Sequence, residues 1–115
     1  MTKKTLADFK RDIKVSQHIE LVGYDVKQFD SVKGRYDGKF FSLPIPEKMS
    51  GTRYVSHKDT TGFYLKRPDD KSARGSFMGY PKASQLDYRD DTFVVTEIDR
   101  HDEPYEKRTY KLINY

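Results

Sequence analysis

Residues 75–99 read GSFMGYPKASQLDYRDDTFVVTEID, and this stretch decides the fold. Ser76 to Tyr80 and Leu86 to Asp99 alternate apolar and polar side chains, the mark of half-buried strands. Pro81 has no backbone donor and ends the first of them. PKASQ (81–85) is therefore a corner between strands. LDYRDDTFVVTEID (86–99) is a hairpin with RDD at its tip, with Leu86 and Tyr88 on one arm and Phe93 and Val95 on the other.

The same alternation extends in both directions. TRYVSHKD (52–59) sets Tyr54 against Arg53 and Val55, and GFYLKRP (62–68) follows after TTG, so these two segments form another hairpin. PDDKSARG (68–75) reads as a polar turn, RHDEPYEK (100–107) as a mobile charged loop, and RTYKLINY (108–115) as a last strand with Tyr110 and Leu112 on one face. Near the N-terminus, TLADFKRDI (5–13) predicts a short amphipathic helix. Thr5 is placed to be its N-cap and Asp8 to complete a capping box, while Leu6, Phe9 and Ile13 share one face. A helix of about two turns cannot stand alone and must pack on the sheet. In VSQHIELVGYD (15–25), Val15, Ile19 and Leu21 share parity on a strand, and GYD reads as its exit turn. Residues 24–50 are expected as an irregular loop or hairpin insertion, with DGK (37–39) as a hairpin turn and LPIPE (43–47) breaking any central strand.

One helix and five to seven short strands in a single domain of 115 residues imply an α+β fold. The expected form is the N-terminal helix packed on a small, strongly bent antiparallel sheet or open SH3-like β-barrel, with residues 51–115 as a β-meander core. Nine Tyr and seven Phe against no Trp suggest a small core built from aromatic rings. The chain has no Cys, which excludes disulfide frameworks, thiolate metal sites and Cys nucleophiles. No apolar run reaches the ~20 residues of a membrane span, and MTKKTLADFKRD lacks the apolar segment of a secretory signal. The expectation is a soluble protein of the cytoplasm. Lys and Arg outnumber Asp and Glu 12 to 7 over residues 1–58, whereas residues 84–115 carry 5 against 8. The basic half suits phosphates or an acidic protein surface, and equally a mixed, solvated exterior.

No catalytic signature stands out. His18, His57 and His101 lie in three separate segments, and no Walker A loop, G-x-S-x-G elbow or G-x-G-x-x-G occurs. The doublets Asp69–Asp70 and Asp90–Asp91 fall where turns favour Asp. The expectation is a non-enzyme without metal or cofactor.

Binding is the remaining class. KGRYDGKFF (33–41) interleaves Lys33, Arg35 and Lys39 with Tyr36, Phe40 and Phe41. Cations beside flat rings are the general recipe for single-stranded nucleic acid. Arg53, Lys58, Lys66 and Arg67 repeat the mixture on the 52–67 hairpin. The structural alternative puts the rings in the core and the cations on the outer face of the same strands. FFSLPIPEKM (40–49) either exposes an apolar patch for a protein partner or folds back to close one mouth of the barrel.

The chain resembles a set of small proteins encoded by phages and other mobile elements of Gram-positive bacteria. The resemblance rests on Leu6, Phe9 and Lys10 of the helix and on Thr52, Arg53, Val55, Phe63 and Leu65. It continues through Ser76–Phe77, the Pro81-Lys82-Ala83-Ser84 corner, Asp91, Phe93 and Val95, and the closing Thr109-Tyr110-Lys111-Leu112-Ile113. It does not cover residues 24–50. It implies a non-catalytic protein that inhibits a host nucleic-acid-processing or defence complex by occlusion, in the manner of CRISPR inhibitors. Its partner would be a host protein or protein–nucleic-acid complex, and the alternative is direct nucleic-acid binding by a small β-barrel. No membrane is implied. The insertion, with Arg35, Tyr36, Phe40 and Phe41, is the natural place for a gained contact.

Overall fold

The computed structural model describes residues 3–71 and 75–113. The elements are β1 (Lys3–Lys4), α1 (Leu6–Asp12), β2 (His18–Asp30), β3 (Arg35–Ser42), β4 (Thr52–Lys58), β5 (Gly62–Lys66), β6 (Ser76–Gly79), β7 (Leu86–Arg89), β8 (Thr92–Ile98) and β9 (Pro104–Ile113). Two 3₁₀ turns, Glu47–Met49 and Ala83–Gln85, lie between strands. All strands join one antiparallel sheet in the order β1-β7-β8-β9-β2-β4-β5-β6, with β3 added beside the second half of β2. The ends, β1 and β6, do not pair, so the sheet is unclosed.

The sheet is nevertheless strongly bent. Strands lie about 4.8 Å apart, so β7 and β5, five places apart in that order, would stand about 24 Å apart if the sheet were flat. Yet the Phe9 ring of α1 lies 6.2 Å from Phe63 on β5 and 5.6 Å from Tyr88 on β7. The sheet curls around the helix. The inner face carries Ile19, Leu21, Val55, Leu65, Leu86, Val95 and Leu112, all buried with Phe9 and Ile13. PKASQ connects β6 to β7, strands near opposite ends of the sheet order, and is thus the corner that lets the sheet turn back. Gln85 secures it by accepting from the Lys82 N–H at 3.2 Å and donating to the Thr96 carbonyl at 3.1 Å.

The helix forms as its sequence indicates. The Thr5 hydroxyl accepts from the Asp8 N–H at 3.1 Å, and the Asp8 carboxylate accepts from the Thr5 N–H at 2.9 Å. At the other end Lys58 donates to the carbonyls of Lys10 and Ile13, placing a cation on the negative end of α1.

Four features depart from expectation. GYD does not end β2: the strand passes a bulge between Leu21 and Gly23 and runs on to Asp30, because β9 supplies partners as far as Glu106. Val15 precedes the strand and is exposed. DGK is not the turn. The chain reverses at Ser31–Gly34, where Asp30 accepts from the N–H groups of Val32 and Lys33 and Gly34 takes φ +68°. Gly38, at φ +85°, instead sits in a bulge of β3 that leaves Gly38 to Phe40 opposite Lys27 alone. PYEK is not loop but the start of β9, where Pro104 is the first residue of the strand, a position that tolerates its missing donor. Finally, Lys3–Lys4 pairs with β7, bringing the sheet to nine strands. Residues 72–74 of the expected polar turn and 114–115 of the expected last strand lie outside the described residues.

Candidate functional site

The long β2–β3 hairpin carries a surface made from both local and distant residues. Pairing sets Phe29 beside Tyr36, and Asp25 of β2 beside Lys107 of β9. Alternation then puts Lys27, Phe29, Tyr36, Tyr105 and Lys107 on the outer face, away from the core. Tyr36 stacks on Tyr105 with centroids 5.0 Å apart and planes at 24°, and meets the edge of Phe29 at 5.1 Å. The β3 bulge brings Phe40 onto the same face, where the ammonium groups of Lys27 and Lys107 lie 5.0 and 4.6 Å from its centroid. Burial raises the Tyr105 pKa, with the carboxylates of Glu97 and Glu106 adding to it.

The hairpin also exposes apolar side chains, on both of its faces. Among the described residues seven large hydrophobics are exposed, and four of them, Phe29, Val32, Phe41 and Leu43, lie on the hairpin or directly after it. Val32, at the tip, is 94% exposed. Residues 27–42 also carry four cations against two carboxylates.

The expected contact residues separate into groups. Lys33 bonds Asp37 at 2.7 Å beside the turn, while Arg35 and Lys39 are exposed on β3. Tyr36 and Phe40 join the outer cluster, and Phe41 pairs with Val26 on the opposite face of the hairpin. Lys58 is occupied at the end of α1. Lys66 stands opposite Tyr54 in the β4–β5 ladder. Arg53 and Arg67 do not join the hairpin. They meet on the inner side, where Arg53 donates to the Lys48 carbonyl at 2.6 Å and Arg67 to the same carbonyl at 2.7 Å. The 43–49 segment folds back there, packing Ile45 and Met49 against the core while Leu43 stays exposed.

Sequence reasoning missed Lys27, Phe29, Tyr105 and Lys107 on the outer face. It also missed Arg108 on the inner one. Along β9, Leu112, Tyr110, Arg108 and Glu106 alternate inward, so one strand runs from apolar core to charged cleft. Arg108 donates to Glu106 at 2.9 Å. Burial works against the Arg108 charge, but Glu106 and the Tyr110 hydroxyl together raise its pKa. Period-two alternation from Leu112 and Tyr110, carried back to Arg108 and Glu106, is the signal that could have found it.

Among the described residues no group of three or more His, Asp or Glu is placed to hold a metal ion, and no helix is long and apolar enough to cross a membrane. The chain matches no family model, no curated protein and no solved structure.

Proposed function

We propose that this chain is a non-catalytic binding protein of a phage or mobile element, acting in the host cytoplasm. It occludes a host nucleic-acid-processing or defence complex with its β2–β3 hairpin. The form that goes with this reading is an open SH3-like barrel from which the hairpin projects. The observation that carries it is the concentration of exposed Phe29, Val32, Phe41 and Leu43 on one hairpin, beside packed rings and surplus cations. Exposed apolar side chains on both faces of one hairpin, set among charges, suit a segment gripped by a protein partner, and Tyr, Phe and Arg are common anchors in such interfaces. The cations suit an acidic partner surface and speed the encounter.

A second reading, direct single-strand nucleic-acid binding, is favoured by Lys27 and Lys107 flanking Phe40 next to the Tyr36–Tyr105 stack. One pair of measurements separates the two. The tagged chain, incubated with extract of a Gram-positive host, should retain one stoichiometric protein or protein–nucleic-acid complex. The Phe29→Ser/Val32→Ser/Phe41→Ser variant should lose it. Retention by the variant, or no stoichiometric partner for either protein, sinks the occlusion reading. Fluorescence anisotropy with mixed oligonucleotides at low salt tests the other. There, Lys27→Gln/Lys107→Gln should lower the slope of log affinity against log salt by about two if the lysines contact phosphates.

A further inference from the structure

The inner face holds a second feature that partner binding by the hairpin does not use. Two cavities of about 400 and 520 Å³ open there, and both are bounded by Arg53, Leu65, Ser76, Arg108 and Tyr110. They form one cleft at the end of the inner face not filled by α1.

The charges in the cleft are unevenly distributed: Glu97 lines the first cavity beside Arg53 and Arg108, whereas the second is lined by Lys48, Arg53 and Arg108 and by no carboxylate. Arg108 is neutralised by Glu106. Arg53 and Arg67 share the Lys48 carbonyl, and Arg67 also donates to the Glu47 carbonyl at 3.1 Å. One oxygen atom thus holds two guanidinium groups side by side. Among the described residues no carboxylate pairs with either. The Nε of Arg53 is buried and, among the described residues, has no hydrogen-bond partner. Burial lowers the Arg53 pKa and the neighbouring Arg67 lowers it further, so the charge is held against both desolvation and repulsion. Buried donors are nearly always met, and an unmet one points to a missing acceptor. The acceptor that would satisfy this set is an anion of two charges with several oxygens. Guanidinium forks match such a group in bidentate fashion.

We infer that the cleft binds a small phosphate ester, with its phosphate held in the second cavity by Arg53, which lines both cavities, and by Arg67, which shares the Lys48 carbonyl at the rim of that cavity. Its apolar or flat body lies along Leu65 and Met78, which line the first cavity. A phosphate monoester dianion matches the two uncompensated cations, whereas a carboxylate leaves one of them unbalanced. The cavity volumes fall in the ordinary range of small-molecule sites, about 300–1,000 Å³. The site lies on the opposite side of the sheet from the Phe29–Tyr36–Tyr105 cluster, so each can fail alone.

The experiment is a binding comparison at fixed ionic strength. Adenosine 5′-monophosphate, inorganic phosphate, acetate and sodium chloride are each added to the whole chain, and thermal unfolding is followed. The nucleotide should raise the midpoint most, inorganic phosphate less, and acetate no more than chloride. Arg67→Gln should weaken nucleotide binding at least tenfold. In the unsubstituted protein the Arg53 Nε–H resonance should move on titration with the nucleotide. This second readout keeps the inference open to refutation even if the variant does not fold. Acetate or chloride matching the phosphates overturns it, as does an Arg53 Nε–H that stays still while the midpoint rises. Inorganic phosphate binding as well as the nucleotide removes the proposed role of the apolar wall.

Discussion

The Tyr88 hydroxyl donates to Oδ2 of Asp12 at 2.7 Å, tying the last residue of α1 to the middle of β7. Tyr88 is buried, and the Asp12 side chain is about a quarter exposed. Tyr88→Phe removes the donor but leaves a carboxylate that water can reach. The cost should be about 1.5 kcal/mol, at the low end for a hydrogen bond to a charged group. Urea denaturation should show a lower midpoint with an unchanged slope.

The same pair makes stability depend on pH at both ends of the scale. The Tyr88 hydrogen bond, helped by Arg11, holds the Asp12 pKa below its ordinary 3.8, and hydrogen bonds from Thr5 do the same for Asp8. A lowered carboxylate pKa gives stability that is present above 3.8 and lost as pH falls through the folded value. Burial and Asp12 raise the Tyr88 pKa above its ordinary 10.0, so its contribution is whole below that pH and is lost as pH rises towards the folded value. Urea midpoints should therefore fall on both limbs. Asp12→Asn should flatten the acid limb, and an acid limb identical to that of the unsubstituted protein would refute the assignment.

Phe9 is the residue around which the sheet curls. It is fully buried and makes edge contacts with Phe63, Tyr80, Tyr88 and Phe93. Phe9→Ala should cost about 3–5 kcal/mol. Against a total of about 5–15 kcal/mol for a domain, that leaves little cooperative structure. Near-ultraviolet circular dichroism should show the loss of ordered ring packing.

Two glycines should respond differently to Ala. At Gly38 the φ of +85° is strained for any other residue, but a Cβ meets nothing within 4 Å, so the cost is the backbone strain alone, about 1–2 kcal/mol. At Gly75 a Cβ would lie 1.8 Å from the Leu65 carbonyl oxygen, which forces β6 away from β5. Gly75→Ala should be the more damaging change, and hydrogen exchange should show lost protection in β5 and β6.

Glu106 is buried against Arg108, whose own side chain is 37% exposed. Arg108→Met strands the carboxylate and should cost about 2 kcal/mol, below the range for fully buried pairs because water reaches the guanidinium. Adding Glu106→Gln should recover part of that loss in a double-mutant cycle.

What the sequence determined by itself is the local structure. Thr5, Asp8, Phe9 and Ile13 suffice for the helix and its buried face. Alternation places the β4–β5 and β7–β8 hairpins, and Pro81 marks the corner. These signals act between residues a few positions apart, through caps, side-chain period and turn chemistry. What only the tertiary structure decided depends on ladders between distant segments. β2 extends past Gly23 because β9, more than eighty residues on, pairs with it, and DGK becomes a bulge because the chain has already reversed at Ser31–Gly34. The candidate sites have the same origin. Lys107 and Tyr105 reach Phe40 and Tyr36 across the sheet, and Arg53 meets Arg67 where residues 47–48 fold back. Period and propensity carry no information on which strands become neighbours. The curling of the sheet around Phe9 supplies it.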